Sequence, residues 1–160
     1  MILSHSGIKS ILPHRYPMLL VDAVIKMDTE KKSIVAIKAI ASNEPCFSNL
    51  KDTLEHAKYS YPCSLMIESF SQSAGILYAW GIEAKTVQNN VMLFGSISGC
   101  RFYGKAFPGD TLEHHVQLER GLSDAAIFSG KILVNGETIV EIQRVVMALR
   151  PSEFLTTGQV

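Results

Sequence analysis

Apolar residues follow two different rhythms along this chain. From Val91 onward they alternate with polar ones over four runs, Val91–Tyr103, Asp110–Arg120, Asp124–Val134 and Glu137–Leu149. Alternation of this kind marks half-buried strands. The runs are separated by PGD at 108–110, GLSD at 121–124 and NGE at 135–137. Asn135-Gly136 between two β-rich runs predicts a two-residue hairpin. Met18–Met27 and Ser33–Ala41 predict two earlier strands around an EKK turn, and a short helix over Ser6–Leu12 stops before Pro13.

The stretch from Ser64 to Ile82 behaves differently. Leu65, Ile67, Phe70, Ala74, Leu77 and Trp80 recur at mixed spacing, which leaves nearly every helical face uncharged. Such a pattern predicts a long helix buried on most sides. Pro62 precedes it, Ser64 is the expected cap, and Gly81 lies near its end. Ser69, Ser73 and Gly75 let neighbouring backbone come close. Residues 43–62 have no clean period and predict a long connection, a class that is usually functional or disordered. The whole predicts one α+β domain over residues 1–150, with a curved antiparallel sheet around one long central helix, and a tail at 151–160.

One residue disturbs the apolar helix. Between Tyr59 and Ile82, Glu68 is the single formally charged side chain. Charges are almost never fully buried unless paired or put to use. A membrane span is set aside, because Pro62, Glu68, Gln72 and five serines inside the segment are costly in hydrocarbon.

Composition narrows the classes further. The 160 residues carry zero formal net charge, which argues against a nucleic-acid binder. A mean hydropathy of +0.17 with 19% charged residues implies surface buried in an oligomer or around an apolar ligand, or else a well-filled core. Cys46, Cys63 and Cys100 form no CxxC pair and are odd in number, so neither a disulfide framework nor a zinc site is expected. MILSHSGIKSIL lacks the basic and apolar regions of a signal peptide, and a reducing cytoplasm fits best.

LPHRYPMLLVD at 12–22, NEPCF at 43–47, the proline-then-glutamate helix and RFYGKAFPGDTL at 101–112 resemble the 3-hydroxyacyl-[acyl-carrier-protein] dehydratases of the FabZ type. The resemblance runs from about residue 8 to residue 149, with its motifs in the family's order. It implies a hot-dog fold and a homodimer whose sheets join edge to edge, often built into a trimer of dimers. Two active sites are implied per dimer, each pairing a histidine of one chain with a helical glutamate of the other. The implied substrate is a 3-hydroxyacyl thioester on acyl carrier protein, dehydrated to the trans-2-enoyl product in fatty-acid or polyketide-like biosynthesis, without metal or other cofactor.

Carried onto this chain, Glu68 falls on the family's catalytic glutamate, with Pro62 six residues before it and Gln72 four after it. Elimination needs a base for the proton beside the thioester carbonyl and an acid for the departing hydroxyl. A carboxyl desolvated in an apolar helix keeps its proton to higher pH. Gln72, one turn on, is expected to orient Glu68 and help hold substrate. The backbone amide of Cys63, where the family prefers glycine, is the expected donor to the thioester oxygen. As a nucleophile Cys63 has no basic neighbour in sequence, so a packed thiol is expected. Arg101, with Lys105 or Lys85, is expected to meet the acidic carrier protein or the pantetheine phosphate.

The base is where this sequence departs from the pattern. The family's histidine register falls on Leu54 counted back from Glu68, or on Leu50 counted forward from NEP. The connection is about four residues longer than usual, and its one histidine, His56, is the expected base. His14 in LPHRYP matches a family loop residue with a structural hydrogen bond as its expected role. His114 and His115 are strand neighbours facing opposite ways, so they make no metal site. Two rivals remain at this stage. One is a non-catalytic hot-dog subunit or acyl-binding module that forms a heterodimer with a histidine-bearing chain. The other is a hot-dog thioesterase.

Overall fold

A computed structural model describes residues 1–50, 54–82, 90–151 and 153. Lys85 and nearly all of the 151–160 tail lie outside the described residues. The elements in order are helix α1 (His5–Ile11), strands β1 (Ala23–Asp28) and β2 (Ser33–Ala39), helix α2 (Cys63–Ile76), and strands β3 (Asn90–Phe102), β4 (Thr111–Gly121), β5 (Ala125–Val134) and β6 (Glu137–Pro151). The six strands form one antiparallel sheet in the order β1-β2-β4-β5-β6-β3.

Alternation in the sequence becomes a two-faced sheet. In β4, Leu112, His114, Val116 and Leu118 are buried while Glu113, His115 and Gln117 face partly outward. The inner face meets α2, whose Met66, Phe70 and Ala74, with Leu77 just after its end, enter one core with Ile34, Phe128, Ile132, Ile142 and Val145. Burying Phe70 alone contributes roughly 2–3 kcal/mol. The helix also buries Ser69, Ser71 and Ser73. Their hydroxyls donate back to the carbonyls of Met66, Ile67 and Ser69 at 3.1, 2.9 and 2.8 Å, so no polar group is left unsatisfied there. Close packing has a specific requirement at Gly130, where a Cβ would stand 2.0 Å from the His115 carbonyl oxygen.

Several boundaries differ from the sequence expectation. The apolar run Met18–Met27 becomes a strand only from Ala23. Before that, Met18 and Leu19 donate to the Arg15 carbonyl, and the following backbone is paired by a side chain of α2 rather than by a strand. The helix starts at Cys63 with Pro62 as its N-cap, and no side chain caps it, so Ser64 is inside the helix and is not its cap. After Ile76 the helix widens into a π-helical stretch, Leu77–Ile82. The 43–62 connection contains two short 3-10 turns, Pro45–Phe47 and His56–Tyr59. Buried Lys38 ties its start, donating to Glu44 and to the Ala39 carbonyl.

The two sheet edges are unlike each other. The β1 edge is short, and residues 2–3 cover it, with Ile2 donating to the Val24 carbonyl at 2.8 Å and Val24 to Leu3 at 2.9 Å. Strand β3 is 13 residues long, has no buried residue, and exposes Leu93, Phe94 and Phe102. A long, bare, apolar edge is a template for pairing with another chain. No helix among the described residues is long and apolar enough to cross a membrane.

Candidate active site

Glu68 sits on the face of α2 that turns away from the core, so the lone carboxylate is not sealed in protein. Its side chain is 30% exposed, contrary to the burial expected from its apolar surroundings in sequence. It opens onto a cavity of about 430 Å³. One turn on, Gln72 is 2% exposed, and its amide is fully engaged. The Nε2 group donates to Glu68 Oε1 at 2.8 Å and to the Met18 carbonyl at 2.6 Å, while Oε1 accepts the Leu20 N–H at 2.9 Å. Gln72 thereby fixes the carboxylate and fastens α2 to the segment that leads into β1. Both amide hydrogens are thus used within the protein, while the side chain still lines the cavity.

The LPHRYP loop supplies the opposite wall. Pro13 ends α1, and the Arg15 guanidinium donates to the Leu12 carbonyl at 2.9 Å and to that of His14 at 2.6 Å. This knot aims His14 at the helix, with Nε2 standing 3.4 Å from Glu68 Oε1. Burial lowers the His14 pKa, with Arg15 adding to the effect and Glu68 opposing it. The imidazole is therefore largely neutral near pH 7. Its Nδ1 is buried with no hydrogen-bond partner. Sequence reasoning gave His14 a structural hydrogen bond and missed this contact, because the two residues are 54 apart and no local pattern links them.

From Glu68 the cavity follows one helix face, past Ser71, Gln72, Gly75 and Ala79, at roughly 16 Å end to end. Leu12, Val91, Leu93, Phe94 and Met147 close its sides. It is a mainly apolar slot with one acid and one imidazole at its start.

The remaining predicted residues stand elsewhere in the protomer. Cys63 is exposed as the first residue of α2, where helix geometry leaves its N–H without an intrahelical acceptor. Arg101 is exposed on the outer edge strand, opposite Glu141 of β6. Leu54 is fully exposed, and Leu50 packs on the core while its carbonyl accepts the Tyr59 hydroxyl at 3.2 Å. His56 is exposed, stacked on Phe107 with ring centroids 4.1 Å apart. Neither His56, Cys63 nor Arg101 lines the cavity of its own chain's Glu68. Exposed Lys105 lies beyond the end of β3.

A six-stranded antiparallel sheet wrapped around one long helix defines a hot-dog protein. Residues 12–143 match the FabA-like domain. The chain belongs to that family. It is 36% identical over 131 residues to the 3-hydroxyacyl-[acyl-carrier-protein] dehydratase FabZ of Idiomarina loihiensis, covering 82% of this chain and 83% of that protein. It is 37% identical over 134 residues to the FabZ of Variovorax paradoxus, covering 84% and 86%. Among solved structures, the dehydratase heterocomplex ApeI:P from Xenorhabdus doucetiae aligns with a TM-score of 0.70 at 18% identity, over 93% of this chain and 94% of that one. A mutant thioesterase from Pseudomonas aeruginosa aligns with a TM-score of 0.66 at 7% identity, over 94% and 96%. At such identities the two structures share the fold alone.

Proposed function

We propose that the Glu68 cavity is a dehydration site completed by the His56 corner of a second chain. The protein is a 3-hydroxyacyl-[acyl-carrier-protein] dehydratase: it eliminates water from a 3-hydroxyacyl thioester to give the trans-2-enoyl thioester. Glu68 protonates the departing hydroxyl, and Gln72 holds it in place. His56 of the partner takes the proton beside the thioester carbonyl. The Cys63 amide of that same partner chain, at the positive end of its α2, receives the charge that builds on the thioester oxygen. Arg101 meets the carrier protein or the pantetheine phosphate. The three free cysteines support a reducing, cytoplasmic setting.

The observation that carries this reading is a single acid, held by Gln72, in a cavity of about 430 Å³ whose far wall of Val91, Leu93, Phe94 and Met147 is apolar. Such a cavity suits an acyl chain. The bare β3 edge supports the second chain. Antiparallel pairing of two β3 strands about their middles sets the Arg101–Phe102 end of one beside the Val91–Leu93 end of the other, against the cavity wall. Phe107, on which His56 stacks, follows that Arg101–Phe102 end by five residues along the chain.

A second reading rests on the 3.4 Å approach of His14 to Glu68, which makes His14 the imidazole of the reaction. Turnover of a 3-hydroxyacyl thioester by the purified protein separates the two. Loss with His56→Ala and only partial loss with His14→Ala supports the composite site, and the reverse order supports His14. A pure protein that is inactive until a histidine-bearing hot-dog chain is added would make the working unit a heterodimer.

A further inference from the structure

We propose that Phe107 is the positioning residue for His56, holding the imidazole by its face and leaving both ring nitrogens free for proton transfer. The inference rests on the reading of His56 as the base. The two rings lie at 25° to each other with centroids 4.1 Å apart, a stacked pair. No ring nitrogen of His56 bonds another described residue. Its turn is held by neighbours of His56 and not by its ring: Lys58 donates to the Glu55 carbonyl at 3.0 Å, and the Tyr59 hydroxyl donates to the Leu50 carbonyl at 3.2 Å while its ring meets Phe47 edge-on.

Phe107 is fixed by comparison. Its N–H donates to Asp110 Oδ2 at 2.8 Å, and its carbonyl accepts the Asp110 N–H at 3.0 Å. That turn is clamped to the end of β2, since Gly109 donates to the Ile40 carbonyl and Ile40 to the Asp110 carbonyl, both at 2.9 Å. Ala106, next to it, accepts the Tyr61 N–H at 2.8 Å, which ties the turn to the start of α2. The stack therefore transmits the position of this corner to the His56 ring, for which it is the contact seen among the described residues. A base oriented through a hydrogen bond gives up one nitrogen to its partner. An imidazole oriented through its face gives up neither.

The test compares the full-length protein with Phe107→Leu, Phe107→Tyr, His56→Ala and the Phe107→Leu/His56→Ala pair, assayed on 3-hydroxybutyryl-acyl carrier protein. Phe107→Leu is expected to lower kcat about tenfold with KM within about twofold, since misplacing a base costs rate before binding. Phe107→Tyr should restore kcat, and Phe107→Leu should add nothing in the His56→Ala background. In NMR spectra the His56 ring protons should be shifted upfield by the Phe107 ring current in the native protein and in Phe107→Tyr, and not in Phe107→Leu. Native-like melting of Phe107→Leu excludes a folding defect, and the Tyr variant carries the comparison if it does not melt so. Unchanged kcat in Phe107→Leu with His56→Ala inactive overturns the positioning role and leaves the base in place. Full activity in His56→Ala overturns the base, and Phe107's role falls with it. Absence of the ring-current shift in the native protein overturns the stack itself.

Discussion

Glu68 and a glutamine in its place differ in the group at the end of the side chain, an acid against an amide, and the proposed reaction needs the acid's proton. Glu68→Gln keeps size and can still accept the Gln72 amide now given at 2.8 Å, but it has no acid to give. Turnover should fall more than about a hundredfold while the melting temperature changes little, and survival of activity within a few-fold would make Glu68 structural. His114 carries a different proton. It is fully buried beneath α2, edge-on to Phe70, with neither ring nitrogen hydrogen-bonded. Burial, helped by neighbouring His115, pushes its pKa from 6.5 down to about 3. Above pH 6.5 both folded and unfolded forms are neutral there, and His114 makes stability independent of pH. Between 6.5 and about 3 only the unfolded chain takes the proton, so stability falls with pH at up to ~1.4 kcal/mol per unit. Urea denaturation at pH 7 and pH 5 should show this loss in the native protein and a smaller one in His114→Leu. The alternation of β4 already gave His114 and His115 opposite faces; that His114 lacks any partner was not visible without its neighbours.

At the scale of elements, local rules succeeded where local forces decide. Asn135 and Gly136 both take positive φ, 51° and 82°, as a two-residue hairpin turn requires, and β5 and β6 flank them as expected. The start of β1 went wrong for a long-range reason. Residues 18–20 look like strand because they are apolar, yet their backbone is held by Gln72, over fifty positions away. The length and buried character of α2 were legible in its uncharged faces. Its cap was not, since Pro62 ends the incoming chain without a side-chain hydrogen bond. Of the site, Glu68 and its Gln72 contact were legible from an i, i+4 spacing, while the His14 wall depends on loop geometry no period encodes. Gln72 is thus a tertiary clamp as well as a carboxylate guide. Gln72→Leu strands the buried Leu20 N–H and the Met18 carbonyl, at a cost of roughly 2 kcal/mol or more. Chemical denaturation should register that loss, and kcat should fall together with it. Intact stability would show that the clamp contributes nothing.

At the scale of the whole molecule, the sheet is finished on one side only. Residues 2–3 close the β1 edge, whereas β3 pairs with β6 on one side and is the sheet's other edge among the described residues, with Leu93, Phe94 and Phe102 exposed. Such an edge in isolation invites aggregation. Pairing with a second copy would remove it, and the proposed composite site requires that the same pairing bring the His56 corner of one chain to the cavity of the other. A native species of about twice 17.6 kDa is therefore expected in sedimentation at micromolar concentration. Ser96 and Ser98 lie exposed near the middle of β3, where the two strands would cross the dyad. Lysines there bring four like charges together without touching the core. Ser96→Lys/Ser98→Lys should sediment as a folded monomer and, if the base comes from the partner as proposed, lose turnover. Turnover that survives in the monomer would locate all the chemistry within one chain, with His14 beside Glu68. A native protein that is itself a stable monomer would remove the shared site altogether.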